Sequence, residues 1–413
     1  MIRPRVAFAA LAVALAGACS HDGSPPIEPP PVVFPGVPVE MQPPSGFAFL
    51  VQVDSLWRTP DPKDGFSCTT TDSTVVAVLD PGCAVETRAT TGTASVVVHR
   101  YAATTTIPIT VVARSTIALV GAGQSSIVLG TPPLAYATGW DYGNNEALLW
   151  RINLTTLQAD SALRVRAPSG GAVAINSTNT VVYVPGFGGG YVPPPGHQPL
   201  AFVDPVTNMV TDTMIGLTGT VYSSLLAPDD STLYVGSDGH LALVNVKAKS
   251  VLLDSVESGR VLHLVLDATR GALYATLYTD HQYSGVDEFD AATLALRRQI
   301  VAPSAAAQGI ALSGDATRLF VVTERGQVLS CSLGPTGSCP TATTLPELFI
   351  PVALNAAGTQ LYAGSGNTVL AFDPATLQLQ RAFVVGNGSA WRFATRSGYP
   401  HTVVVGNGLL LLP

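Results

Sequence analysis

The stretch "ALNAAGTQLYAGSGNTVLAFDPATLQLQRAFVVG", Ala353–Gly386, decides how the chain is read. Short apolar runs alternate with polar, glycine-containing turns. The second run carries an aromatic residue, Tyr362, just before a small-residue loop. The same marker returns in "LAYATG", "VVYVPG", "LYVGS", "LYATL", "LFVVT" and, last, "TVVVGNG". It stands at Tyr136, Tyr183, Tyr234, Tyr274, Phe320, Tyr362 and Val403, at intervals of roughly 40–51 residues, which suit a repeated unit of short strands. Four of the turns share a polar start: Asn153–Thr156, Asp204–Thr207, Asp290–Thr293 and Asp373–Thr376. A side-chain oxygen there can accept the backbone N–H two residues on and close a hairpin, so these residues are read as structural.

With its marker and turn, Ala353–Gly386 resembles a YVTN-type bacterial propeller repeat. Seven markers imply a seven-bladed β-propeller over residues 115–413. The last blade stops early, because "TVVVGNGLLLLP" ends the chain after a third strand. "STIALVGAG", Ser115–Gly123, precedes the first blade and is expected to supply the missing outer strand. Closure of this kind pairs an otherwise exposed edge.

Upstream, residues 47–113 alternate apolar and polar positions in "STVVAVLDPGC", "TASVVVHRY" and "TIPITVV", with a turn at Asp80–Gly82. "CTTTDSTVVAV" (Cys68–Val78) and "GTASVVV" (Gly92–Val98) resemble two strands of group 2 bacterial immunoglobulin-like domains, so a small immunoglobulin-like β-sandwich is expected ahead of the propeller. Cys68 stands where that family has Trp, and a disulfide to Cys83 would take the place of the aromatic plug. Sequence proximity pairs Cys68 with Cys83 and Cys331 with Cys339. The larger loop is worth about 3 kcal/mol if unstrained. Neither pair has zinc-ligand spacing.

The N-terminus, "MIRPRVAFAALAVALAGACS", joins a basic start to an apolar run from Val6 to Ala18. That run is too short to span a bilayer, which takes roughly 20 residues, and reads as an export signal over residues 1–18. "LAGAC" resembles a bacterial lipobox, although Ala16 occupies the position where Leu is commonest; the resemblance makes Cys19 the lipidated residue and the molecule a lipid-anchored envelope protein. Ser20 after Cys19 favours sorting to the outer membrane. Residues 19–46 are proline-rich and read as an extended tether without a packed core. Without residues 1–18, 19 basic and 28 acidic residues remain, a balance of −9. No basic stripe occurs, which argues against nucleic acid as a partner. Charged residues make up 12% of the chain, about half the usual share, and no segment has the spacing of a long amphipathic helix.

One irregular stretch, "PGFGGGYVPPPGHQPL" (Pro185–Leu200), interrupts the second repeat. A phosphate cradle needs a helix after the glycines, and the prolines forbid one. It is therefore a loop on the propeller face where blades connect. That face would gather Trp140 and Tyr142, then Phe187, Tyr191 and His197, then Tyr278, His281 and Tyr283. Such aromatics suit recognition of an envelope protein, a peptide or a glycan; the other reading is that they seal the channel. At the channel mouth, where innermost strands begin, stand Tyr222, His263, Gln308, Trp391 and Arg392. Trp391 beside Arg392 suits a ring and a carboxylate, against which stands a capped, water-filled channel.

No catalytic motif emerges: H-E-x-x-H, G-x-S-x-G and EF-hand patterns are all missing from the sequence. Asp141–Glu146 has oxygen ligands but not the register of a calcium loop. No metal or cofactor is expected. The favoured function is a non-catalytic binding or scaffold module. The alternative is an exported hydrolase or lyase, lactonase-like, which would need His263, Glu146 and His281 to converge.

Overall fold

A computed structural model describes residues 37–43, 46–48, 51–53, 56–58, 61–79, 83–113, 116–119, 124–131, 133–141, 146–166, 172–186, 198–279, 283–302, 307–324, 326–334, 337–344, 352–365, 368–384, 392–396, 399–405 and 408–412. Within them the regular structure is β-strand apart from one 3₁₀ turn at Pro62–Asp64. Cys19 and residues 1–18, read as an export signal, lie outside the described residues.

The N-terminal module has two main sheets around one core, beside a two-stranded ribbon of Val51–Val53 and Leu56–Arg58. One runs Val39–Met41, Ala103–Val111, Gly92–Arg100, Phe66–Thr70; the other runs Gly46–Ala48, Ala84–Thr87, Val76–Leu79. Alternation decides the inward faces. Ala94, Val96 and Val98 on one strand and Ile107, Ile109 and Val111 on its neighbour are buried against Val76 and Val85 of the facing sheet. The Cys68–Cys83 disulfide joins the two sheets, and Cys83 sits within the core.

The tether reading needs correcting at its C-terminal end. Val39–Met41 lies in the span 19–46, yet it pairs in parallel with Ile109–Val111 on one side and with Ala382–Val384 on the other. Val39 and Met41 are buried in the module's core, Met41 completely. Pro38 and Pro43 cannot donate to a ladder, but the three residues around Glu40 keep their amides and alternate apolar, polar, apolar, which is a strand in miniature. The result is one eight-stranded sheet running from the N-terminal module into the sheet of residues 352–384.

From Thr116 onward the chain forms successive antiparallel sheets. The first covers residues 124–166, the second 174–217, a long one 221–301, and the next two 307–344 and 352–384. The last consists of Arg392–Ala394, Thr402–Val405 and Gly408–Leu412, and its outer strand is Thr116–Ala118. Thr116, Ile117 and Ala118 pair with Leu410, Leu409 and Gly408, which is the pairing expected of the segment ahead of the first sheet. The long sheet has six strands, two of which, Thr232–Asn245 and Ser250–Asp267, are unusually long. Val246 N–H donates to the Ser231 carbonyl, so the ends of Thr232–Asn245 meet and the chain folds back near Gly239, at φ 75°.

Apolar clusters join each set of strands to the next. Tyr136 and Leu149 pack with Val182 and Val184, Tyr183 and Phe202 with Val235, and Tyr274 with Ile310 and Val321. Phe320 then meets Leu361 and Phe372, and Tyr362 meets Phe383 and Val404. Finally Ala394 and Val403 pack with Ile127, Leu148 and Trp150, so the contacts return to the first sheet. All seven marker residues lie in strands and are at most 5% exposed.

The polar turns behave as their chemistry requires. Asn153, Asp204, Asp290 and Asp373 each accept N–H bonds from residues two and three positions on. Four positions on, Leu157, Asn208, Leu294 and Leu377 adopt φ of 54–55°. That left-handed backbone costs a leucine about 1–2 kcal/mol. Burial of Leu294 and Leu377 in the inter-sheet clusters offsets it. Cys331–Cys339 also forms as expected. Two disulfides place folding in an oxidising compartment. Among the described residues no helix is long and apolar enough to cross a membrane.

Candidate functional site

Four strands share a defect that the sequence does not announce. Their pairing skips one residue near the start: Ser125 between Gln124 and Ser126, Tyr222 between Val221 and Ser223, Leu262 between Val261 and His263, and Gln308 between Ala307 and Gly309. A bulge re-aims the side chains around it and ends regular pairing. Two residues read from sequence as lining the channel mouth, Tyr222 and Gln308, are themselves the skipped residues, and His263 follows a third.

His263 is placed by this geometry. Its N–H donates to Thr276 Oγ1 at 3.0 Å, and Thr276 is fully buried. Its ring faces Arg392, with Nη1 and Nε2 3.5 Å apart across 129 residues of sequence. A guanidinium only donates, so Nε2 is the acceptor and the imidazole is neutral. Burial, and then the Arg392 charge, hold the His263 pKa well below the usual value. Burial also lowers Arg392, to about 10, so it remains a cation at neutral pH. Both side chains are deep in the molecule, yet both keep partial solvent exposure. Close by in sequence, Arg260 lies over the Tyr222 ring at 5.8 Å and pairs with Asp238 at 3.4 Å.

The register also fixes the ends of the hairpins. Trp140 lies opposite Ala147, next to Gly139, which pairs with Gln124 at the start of the first inner strand. Tyr278 pairs with Arg260 and with Ser284, and Tyr283 pairs with Thr279. Trp140, Tyr278 and Tyr283 thus sit at the ends where inner strands begin. Tyr278 is half-buried. Tyr142, Phe187, Tyr191, His197, His281 and Trp391 lie outside the described residues, as do the side chains of Trp140, Tyr283 and Glu146. The convergence of His263, Glu146 and His281 therefore falls outside the described side chains; within them, the ring partner of His263 is Arg392.

This arrangement can hold an anionic or hydrogen-bonding group beside a buried cation and a neutral acceptor. The described carboxylate–imidazole contact is His240 Nδ1 with Asp254 Oδ1, at 3.0 Å. Among the described residues no three His, Cys, Asp or Glu side chains cluster as metal ligands. Sequence reasoning missed Arg396, at the far end of the strand that carries Arg392. Its Nη1 donates to the Leu129 carbonyl at 3.0 Å and ties the last sheet to the first. An isolated arginine in an irregular segment carries no motif, so no local signal marks it. No protein-family model matches the chain, and no curated protein matches it either.

Proposed function

We propose that the chain is an exported lipoprotein, anchored through Cys19 in the envelope, whose seven-bladed, YVTN-type β-propeller acts as a non-catalytic binding or scaffold module behind an immunoglobulin-like domain of group 2. The observation that carries the reading is the pairing of Thr116–Ala118 with Gly408–Leu412, together with apolar contacts that return to the first sheet. On that reading the long sheet supplies two blades. The bulged starts of the inner strands, the His263–Arg392 contact and the positions of Trp140, Tyr278 and Tyr283 then share one rim. Such a rim suits a peptide, a glycan or an envelope protein. The two disulfides agree with an envelope location, and the outer membrane is the favoured sheet.

Two measurements test this. Labelled palmitate is expected to enter the wild type and not Cys19→Ser; equal labelling removes the anchor. Purified glycan and peptide arrays are expected to bind the wild type at least about tenfold better than Trp140→Ala/Tyr283→Ala, the scale of an aromatic hot spot. Equal binding by a folded variant removes the aromatic rim from the proposal.

A further inference from the structure

His263 Nε2 and Arg392 Nη1 lie 3.5 Å apart, brought together from Ser250–Asp267 and Arg392–Ala394. The guanidinium is a cation, and the neutral imidazole turns a lone pair toward it. A carboxylate arriving here accepts an N–H from Arg392 but meets that lone pair at His263. Protonation of Nε2 from solvent turns the acceptor into a donor. Two donors at this spacing can each take one oxygen of a single carboxylate. Among the described residues, the charge that bears on the His263 ring is Arg392. Thr276 holds the His263 backbone, and Arg260, three residues earlier, pairs with Asp238. Both side chains are only partly exposed, so the end of a ligand reaches them better than the middle of a chain. The protein's net charge of −7 disfavours a polyanion such as an acidic polysaccharide, whereas a peptide end brings a single carboxylate. The ladder skips Leu262 just before His263, so main chain beside the ring is out of regular pairing, where a peptide's last residues can bond to it.

We infer that the His263–Arg392 contact receives the C-terminal carboxylate of a peptide, with Arg392 donating to one oxygen and His263, protonated from solvent as the ligand arrives, donating to the other. The inference rests on the binding reading above and names the ligand class and the pH dependence of that site. Free His263 is neutral, because burial and Arg392 hold its pKa well below the usual value, and bound His263 is charged. Binding therefore takes up a proton and weakens as the pH rises.

The test is a hexapeptide array attached through its N-termini and probed with the intact protein in two formats, free acid and C-terminal amide. Free acids are expected to bind at least about tenfold better than the same peptides as amides, the scale of one lost charge-assisted contact. For the tightest free acid, fluorescence anisotropy is expected to show affinity falling at least about threefold from about pH 5.5 to 7.5. Arg392→Gln is expected to erase the preference for acids, and Arg392→Lys to restore part of it. His263→Gln, whose amide donates at every pH, is expected to keep the preference and flatten the pH profile. Thermal unfolding confirms that each variant is folded. Equal binding of acids and amides, a preference retained in folded Arg392→Gln, a flat profile in the wild type, or an unchanged profile in His263→Gln would each overturn the inference. If glycans alone bind, the carboxylate contact falls and the binding module stands; if neither glycans nor peptides bind, both fall.

Discussion

Asp290 shows how a single turn residue carries both shape and pH dependence. The Arg297 guanidinium, then the Thr293 hydroxyl and backbone amides, hold its carboxyl at about 2. Asp315 is held at about 2 by the Ser313 hydroxyl and by Thr317. Burial acts to raise Asp229, but bonds from Ser231 and Thr232 outweigh it and leave it at about 2. An unfolded aspartate titrates near 3.9, roughly. Each group therefore stabilises the fold in full above about pH 4, and that contribution is lost as the pH falls toward about 2. Urea midpoints measured from pH 4 to 2 are expected to fall less steeply in Asp290→Asn/Asp315→Asn than in the wild type. Parallel slopes would mean that these carboxylates carry no linkage. His263 acts at higher pH in the same direction, because its depressed pKa lets the unfolded chain take the proton first below about 6.5. The turn aspartates were legible in the sequence because an Asx turn is made by residues two and three apart. The meeting of His263 and Arg392 was not, because it depends on which strands the fold brings together.

At the scale of elements, the closing strand is short but decisive. Backbone N–H groups along a strand point alternately to either side, so one of Thr116 and Ile117 must aim its N–H at Gly408–Leu412. Thr116→Pro/Ile117→Pro removes that donor and is expected to cost about 1 kcal/mol or more. The unfolding midpoint should drop by roughly 2–4 °C per kcal/mol, and amide exchange at Gly408–Leu412 should rise while Gly92–Arg100 stays protected. Unchanged protection at Gly408–Leu412 would separate the closing strand from the stability of the last sheet. This pairing could be read from the sequence because Ser115–Gly123 had no place in the first repeat and the last repeat ended a strand short. The bulges at Tyr222 and Gln308 could not, since an extra residue leaves the apolar alternation almost intact. Val39–Met41 escaped for a different reason: four residues between Pro38 and Pro43 are too few to show a period.

For the whole molecule, the shared strand is the point where two modules become one body. Gln42 N–H donates to Val384 O, Ala382 N–H donates to Pro38 O, and Val112 N–H donates to Met41 O. Val384 and Ala382 also pack against the N-terminal core. Met41→Ala should remove about 2–5 kcal/mol at this junction. Calorimetry is expected to resolve two transitions in the variant where the wild type shows them merged; a single unchanged transition would show that the coupling lies elsewhere. The parallel ladders on both flanks of Val39–Met41 also bear on mechanics. A pull on the chain ahead of Pro38 loads those bonds in shear, several at once, instead of peeling them singly. Tension entering from that side is thus shared between the small module and its large neighbour.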